Sequence, residues 1–198
     1  MKLGIFGGAF NPVHNGHINL AEKYIDILNL DILYVIPTGN PPHRTCSDFA
    51  PESARFDMLR AAFSCVDKTV VSDMEFRRSG KSYTYDTVQT LKSRYPGADL
   101  YLLVGEDQFL KFEEWYRYAD ILNEVTLCTA ARGENSRRIL LDFAKEHYGG
   151  ASIYIADFEP IVVSSSEIRK KLKENNDISG LVPQSVLDYI KEKGLYVD

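Results

Sequence analysis

Short, wholly apolar runs recur along this chain, and helix-like segments separate them. The strand-like runs are Leu3 to Phe6, Ile32 to Ile36, Thr69 to Ser72, Leu100 to Val104, Val125 to Thr129 and Ser152 to Ile155. Each is bounded by Gly, Pro, Asp or Asn. Runs of this kind, apolar without alternation, suit strands buried on both faces. Between them, Ile18 to Leu28 places Leu20, Tyr24, Ile27 and Leu28 on one side of a helix. Glu52 to Phe63 gathers Phe56, Leu59, Arg60 and Phe63, and Thr84 to Tyr95 and Arg137 to His147 follow similar periods. Strand and helix in alternation predict parallel βαβ units with right-handed crossovers. The tail breaks the pattern. Ser166 to Lys173 and Pro183 to Lys193 read as consecutive helices joined by Asn175-Asn176-Asp177. Pro183 fits a helix start, where a missing N–H costs nothing. The longest loop candidate, Pro37 to Ala50, is rich in Pro, Thr, Ser and Asn; loops of that length are usually functional or mobile.

Composition narrows the function. With 198 residues, 44% of them hydrophobic, the chain can bury a core as one domain, or one domain with a small appendage. Its net charge of -5, without a Lys/Arg block, argues against duplex nucleic acid as a partner. Local basic clusters can still hold a nucleotide phosphate. Cys46, Cys65 and Cys128 are widely spaced and form no CxxC, which argues against a disulfide framework or a thiolate zinc site. The N-terminal apolar run is too short for a signal peptide, and no stretch approaches the ~18 apolar residues of a membrane span. The expectation is a cytoplasmic protein without membrane or nucleic-acid partners.

The most informative segment is Gly7-Gly8-Ala9-Phe10-Asn11-Pro12-Val13-His14-Asn15-Gly16-His17. It follows the first predicted strand and opens the first predicted helix. Adjacent glycines let a backbone turn sharply and approach a ligand closely. The helix start adds unpaired N–H groups and partial positive charge, which suit a phosphate. His14 and His17 can donate imidazole N–H groups to phosphoryl oxygens. Plainer readings compete. Gly-Gly after a strand is a common turn, and two histidines could bind zinc, although no third ligand is evident nearby. A dinucleotide fingerprint needs G-x-G-x-x-G and an acidic residue after the second strand. Here the glycines are Gly4, Gly7 and Gly8, and the second run ends in Pro37-Thr38-Gly39, which disfavours hydride transfer. The full P-loop pattern is also missing, since Glu75 stands where Gly80-Lys81-Ser82 would need its first glycine.

Strand, then G-G-x-F-[DN]-P, then H-x-G-H resembles the nucleotidyltransferase superfamily that carries the HxGH signature. The resemblance implies that His14 and His17 contact the triphosphate and stabilise charge as the α-phosphate is attacked. It places Gly7, Gly8, Ala9, Phe10 and Gly16 in the ATP site. Asn11 stands where many members carry Asp; an amide can still accept and donate hydrogen bonds in such a turn.

A second element, Ser164-Ser165-Ser166-Glu167-Ile168-Arg169, follows the apolar run Ile161 to Val163 and precedes a predicted helix. A serine N-cap with a nearby Glu is an ordinary helix start. That accounts for one serine and not for Arg169, which lies about one turn in and can reach back toward an anion at the helix N-terminus. The element resembles the family's S-S-[ST]-x-[IL]-R, which implies that Ser164, Ser165, Ser166 and Arg169 bind the β- and γ-phosphates.

Four further elements are similar to those of nicotinate mononucleotide adenylyltransferases. Asn40-Pro41-Pro42-His43-Arg44 resembles the P-P-H-[KR] loop, and Ser82-Tyr83-Thr84-Tyr85-Asp86-Thr87 resembles S-Y-T-[FY]-D-T at a helix start. Read on its own, the latter makes Thr84 an N-cap and the tyrosines packing residues. Val104-Gly105-Glu106-Asp107 resembles a G-x-D turn, with Asp107 toward the adenosine ribose; carboxylates at strand ends suit ribose hydroxyls. The lone tryptophan, Trp115, would by itself be a core residue. The resemblance gives it, with Tyr116, a stacking role on a pyridine ring, since flat aromatic faces bind flat heterocycles. Arg44, Ser82, Tyr83 and Thr84 complete the implied acceptor site, with Thr84 and nearby backbone N–H groups on the nicotinate carboxylate.

The resemblance runs from Gly4 to about Arg169 and continues, weaker, through Leu181-Val182-Pro183 and Lys193-Gly194-Leu195-Tyr196. It implies a Rossmann-like three-layer α/β fold with a parallel sheet, one domain over 1–198, and a small C-terminal helical segment at about 164–198. The implied reaction is attack of the 5′-phosphate of nicotinate mononucleotide on the α-phosphorus of ATP, releasing pyrophosphate. No protein nucleophile is needed, because the attacking phosphate is already anionic; position and charge compensation suffice. Mg2+ is expected to bridge phosphate oxygens, mostly through water and substrate. A homo-oligomer is left open. Two other readings remain at this point: another phosphorylated acceptor, such as phosphopantetheine or the amide mononucleotide, and a non-catalytic nucleotide sensor on the same fold.

Overall fold

An apolar segment without alternation has no face to turn to water, so it must sit inside a sheet covered on both sides. Leu3 to Phe6 meets that demand as the buried centre of β1 (Lys2–Gly8). The computed structural model describes residues 1–41, 49–131, 133–158 and 160–197. Among them, β1, β2 (Ile32–Pro37), β3 (Thr69–Val71), β4 (Asp99–Leu103), β5 (Val125–Ala130) and β6 (Ile153–Ala156) form one all-parallel sheet in the order β3-β2-β1-β4-β5-β6. The register sets Gly7 opposite Ile36, Gly8 opposite Pro37 and Phe6 opposite Leu103. The glycine turn therefore leaves the sheet beside the ends of β2 and β4.

Helices cover both faces, as parallel connections require. On one face, α1 (Asn15–Leu28), α2 (Glu52–Ala62), α7 (Ser165–Lys173) and α8 (Gln184–Lys193) bury Tyr24, Ile25, Met58, Leu59, Ile168, Val186 and Ile190 against Phe6, Val35, Leu103 and Cys128. On the other face, α3 (Thr84–Arg94), α5 (Tyr118–Leu122) and α6 (Glu134–His147) bury Val88, Leu91, Ile121 and Leu140 against Ile5, Ile36, Leu102 and Leu127. The parallel βαβ units expected from the strand and helix pattern, and the Rossmann-like α/β architecture implied by the resemblance, are the ones observed.

The differences are local. Helix α1 begins at Asn15 rather than Ile18, because His14 caps a first turn that carries no apolar period. Ile25 is buried and Ile27 exposed, so the buried stripe is rotated from the expected one. In α2 the buried face is Ala54, Arg55, Met58, Leu59 and Ala62, whereas Arg60 is exposed. Phe56 is half-buried, and Arg55 takes the buried place that the periodicity gave to Arg60. Pro183 is the N-cap of α8 and Ser164 that of α7, each just ahead of the first helical residue. Two short helices, α4 (Glu106–Phe109) and α5, are too brief to leave a helical period in the sequence. No helix of the described residues is long and apolar enough to cross a membrane.

Candidate active site

In an open parallel sheet a crevice forms at the carboxyl ends of the strands, where the order reverses. Here that point lies between β1 and β4. A cavity opens there between the turn Gly7-Gly8-Ala9, the ends of β2 at Ile36 and Thr38, and the end of β4 at Leu103 to Gly105. Its far wall is Glu75, Ser82, Tyr83, Thr84 and Thr87, with Gln108, Trp115 and Tyr116 at the rim. Its volume is about 230 Å³. Pockets that enclose a whole drug-sized ligand run to about 300–1,000 Å³, so this one is large enough for only part of such a ligand.

Gly7 faces that space. A Cβ built on it would meet nothing within 4 Å, and its backbone is not left-handed, so neither packing nor conformation requires glycine there. Gly16 is different. It is buried, and a Cβ on it would stand 2.7 Å from the Ile161 carbonyl. Gly16 therefore lets the segment ahead of α7 lie against the start of α1. Phe10 has φ 45, a conformation uncommon for a bulky residue. Its buried ring is held edge-on by Phe6 at 5.4 Å and by His17 at 4.8 Å.

The histidines form a stack at the start of α1. Their ring centroids lie 3.6 Å apart with 24° between planes. The His14 backbone N–H donates to His17 Nδ1 at 3.2 Å. That bond assigns the neutral His17 proton to Nε2, leaving Nε2–H as a donor. His14 is 6% exposed, and burial lowers its pKa to about 4. Burial, and then the neighbouring His14, hold His17 well below the usual imidazole range. Both rings are neutral near pH 7 in the free protein. His14 Nδ1 is buried and has no hydrogen-bond partner among the described residues.

The two sequence motifs meet at one turn. Ser165 Oγ donates to the Pro12 carbonyl at 2.9 Å, and Arg169 Nη1 donates to the Asn11 carbonyl at 2.8 Å. Arg169 Nη2 approaches Ser166 Oγ at 3.4 Å. Ser164 caps α7 through its backbone position, without a side-chain bond to the first turn. The start of α7 is thus held against the turn that leads into α1. Asn15 adds a further tie: its backbone N–H donates to Leu181 O at 2.9 Å and its Nδ2 to Gly180 O at 2.8 Å.

On the opposite wall, Ser82 pairs with Asn40 through both backbone and hydroxyl, Ser82 N–H to Asn40 O at 2.9 Å and Asn40 N–H to Ser82 Oγ at 3.1 Å. Tyr83, not Thr84, is the N-cap of α3; Thr84 is the first helical residue and lines the cavity. Trp115 both packs on Phe112, at 4.8 Å between centroids, and lines the cavity. Tyr116 is 51% exposed and stacks obliquely on Tyr83 at 4.5 Å. Gly105 lines the cavity, but Asp107 is exposed and outside its lining. Arg44, with Pro42, His43 and Cys46, lies outside the described residues.

Several site residues escaped the sequence reading. Arg55 is 1% exposed and binds three backbone carbonyls: Ala9 at 2.9 Å, Thr38 at 2.8 Å and Ala50 at 3.3 Å. Its guanidinium also lies over Phe49 and Phe76, 5.2 and 5.1 Å from the ring centres. It ties the glycine turn to the end of β2. Glu75, buried at the cavity wall, accepts from Thr87 Oγ1 at 2.8 Å, and burial pushes its carboxyl pKa up. A charged residue in the apolar phase of α2 was the available signal for Arg55. No local signal marked Glu75. Among the described residues, no three His, Cys, Asp or Glu side chains converge as a metal cage.

The cytidylyltransferase-like family model matches residues 5–171. A relative from Clostridium tetani, named a probable nicotinate-nucleotide adenylyltransferase, is 36% identical over 98% of both chains. One of the same name from Carboxydothermus hydrogenoformans is 38% identical, also over 98% of both. In structure, the chain is similar to the Plasmodium falciparum nicotinic acid mononucleotide adenylyltransferase complexed with NaAD, with a TM-score of 0.82, 21% identity, and coverage of 98% of this chain and 97% of that one.

Proposed function

The chain belongs to the cytidylyltransferase-like family, and from that membership we propose how its own residues carry out nicotinate-nucleotide adenylyl transfer. The reaction joins the AMP part of ATP to nicotinate mononucleotide, giving nicotinate adenine dinucleotide and pyrophosphate, in NAD biosynthesis. The observation that carries the assignment of parts is the meeting of two helix starts at the Asn11-Pro12 turn, beside a cavity walled by Thr84 and Trp115.

The phosphate chain lies across the starts of α1 and α7. His17 offers Nε2–H, and His14 the imidazole beside it. Both are neutral donors rather than cations, so they stabilise the extra charge at the α-phosphate without first losing strong hydration. Arg169, with Ser164, Ser166 and the leading N–H groups of α7, takes the pyrophosphate end. Ser165 is engaged with Pro12 and fixes α7 to the turn. Gly7 leaves open space over which the chain of phosphates can pass. Magnesium delivered with ATP would be held by phosphate oxygens and water rather than by protein side chains, and would supply charge neutralisation for the pyrophosphate. In the cavity the pyridine ring lies on Trp115 with Tyr116 near it, and Thr84 with the backbone at the start of α3 meets the nicotinate carboxylate. Asp107, exposed at the start of α4, is assigned to the adenosine ribose, and the acceptor role that the resemblance implies for Arg44 falls outside the described residues. We read the whole chain as one nucleotidyltransferase domain acting in the cytoplasm.

Pyrophosphate release tests this reading against a nucleotide sensor and against other acceptors. Release is expected with ATP and nicotinate mononucleotide together, and neither with ATP alone nor with phosphopantetheine. Release from ATP without acceptor would contradict it.

A further inference from the structure

The Asn11-Pro12 turn belongs to no helix or strand, so its position is set by bonds from outside. Ser165 and Arg169 hold its carbonyls. Its side-chain oxygen, Asn11 Oδ1, accepts two donors: the Ala50 N–H at 2.9 Å and the Tyr196 hydroxyl at 2.7 Å. Tyr196 comes from the far end of the chain, 185 residues away. It follows α8 and its left-handed cap Gly194, and it has φ 64 itself. A bulky residue adopts that conformation only where its surroundings hold it. The Tyr196 phenol lies in the field of both Arg55 and Arg169, and burial keeps it protonated and therefore a donor.

We propose that Tyr196 is a positioning residue for the triphosphate site: its hydroxyl fixes the Asn11 amide, and the Asn11 peptide carbonyl in turn fixes the Arg169 guanidinium. The inference rests on the reading of Arg169 as a phosphate ligand. Three facts favour it over simple packing of the tail. The hydroxyl bonds to the same residue whose carbonyl holds Arg169. The bond spans the whole chain, so it reports whether the C-terminal segment is seated. Asn11 is buried, 1% exposed, so its oxygen cannot exchange Tyr196 for solvent without loss. The role also explains how an amide can serve at position 11: the oxygen acts as an acceptor for two donors, a task that needs no negative charge.

The test is Tyr196→Phe, which keeps the ring and removes only the hydroxyl. Binding of inorganic tripolyphosphate is measured by calorimetry, beside KM for ATP and for nicotinate mononucleotide. Losing one neutral hydrogen bond corresponds to about a 3- to 10-fold change. Tripolyphosphate affinity and KM for ATP should weaken by that factor, with KM for the mononucleotide within about 2-fold of wild type. In an Arg169→Ala background, Tyr196→Phe should add nothing further. Unchanged affinity, equal shifts in both KM values, or the same loss with Arg169 absent would each overturn the proposal. Wild-type tripolyphosphate affinity in Arg169→Ala alone would remove the phosphate role of Arg169 first, and the positioning role with it.

Discussion

The two ends of the cleft are built by different means. The end proposed for the phosphates is polar and cross-braced: Arg55, Ser165, Arg169 and Tyr196 all bond to residues 9–12, and three of these four come from the last fifth of the chain. The acceptor end is made from aromatic surfaces and one helix start, with Trp115 resting on Phe112 and Tyr116 on Tyr83. Charge that develops in a transition state needs donors already in place, which reorganise little during reaction. A flat ring that is only bound needs area and a few oriented polar groups. Rigidity is therefore expected to control turnover at the first end, and surface to control affinity at the second.

Replacing His17 with Ala tests the first half of this contrast with the largest effect. Turnover should fall at least ~100-fold, the scale for losing one preorganised donor to transition-state charge. The fold should persist, because the ring sits at a helix start rather than within a sheet face. Near-wild-type turnover in folded His17→Ala would mean that the phosphate end is not where the chemistry is controlled.

Arg169→Ala should raise KM for ATP by about 10-fold or more while leaving that for the mononucleotide nearly unchanged, as loss of a charged hydrogen-bond donor predicts. Arg169→Lys should recover only part, because the planar fork is lost. Equal shifts in both substrates would make Arg169 a structural brace like Ser165. Trp115→Ala should do the opposite, weakening the acceptor and sparing ATP. A defect confined to ATP would return Trp115 to a purely packing role on Phe112.

The smallest effect is in stability. Because His14 is held neutral, the native protein carries fewer protons than the unfolded chain between the usual pKa of 6.5 and about 4. Its contribution is intact above pH 6.5 and is lost as pH falls through that window. Tm measured from pH 7 to pH 4 should fall less steeply in His14→Asn than in wild type. Parallel curves would mean that burial of the stacked pair does not govern their charge.

What the sequence revealed follows the same division. The alternation of apolar runs with helical periods gave the parallel sheet, because both signals are local. The H-x-G-H and S-S-S-x-I-R segments gave the two helix starts for the same reason. Glu75 left no local signal, Arg55 showed only as a charge in the apolar phase of α2, and Tyr196 showed only in the tail of the resemblance, without a partner. Each acts through a partner distant in sequence, as in the bonds from Arg55 to Ala9 and from Tyr196 to Asn11, and no spacing along the chain encodes such a meeting. Helices α4 and α5, which flank the Trp115-Tyr116 segment in sequence, were silent because four and five residues hold little more than one turn. Gly16 was read as part of a ligand site, and the structure gives it a packing task against Ile161.

In the proposed mechanism, the acceptor end selects an acid through oriented neutral donors at Thr84 and the start of α3. An amide mononucleotide would set an NH₂ against those donors, leaving a buried polar group unpaired at a cost of roughly 1–3 kcal/mol. The decisive measurement is kcat/KM for the acid and amide mononucleotides side by side with saturating ATP. The acid should be preferred by at least ~10-fold; equal use of the two acceptors would rule out selection by these donors.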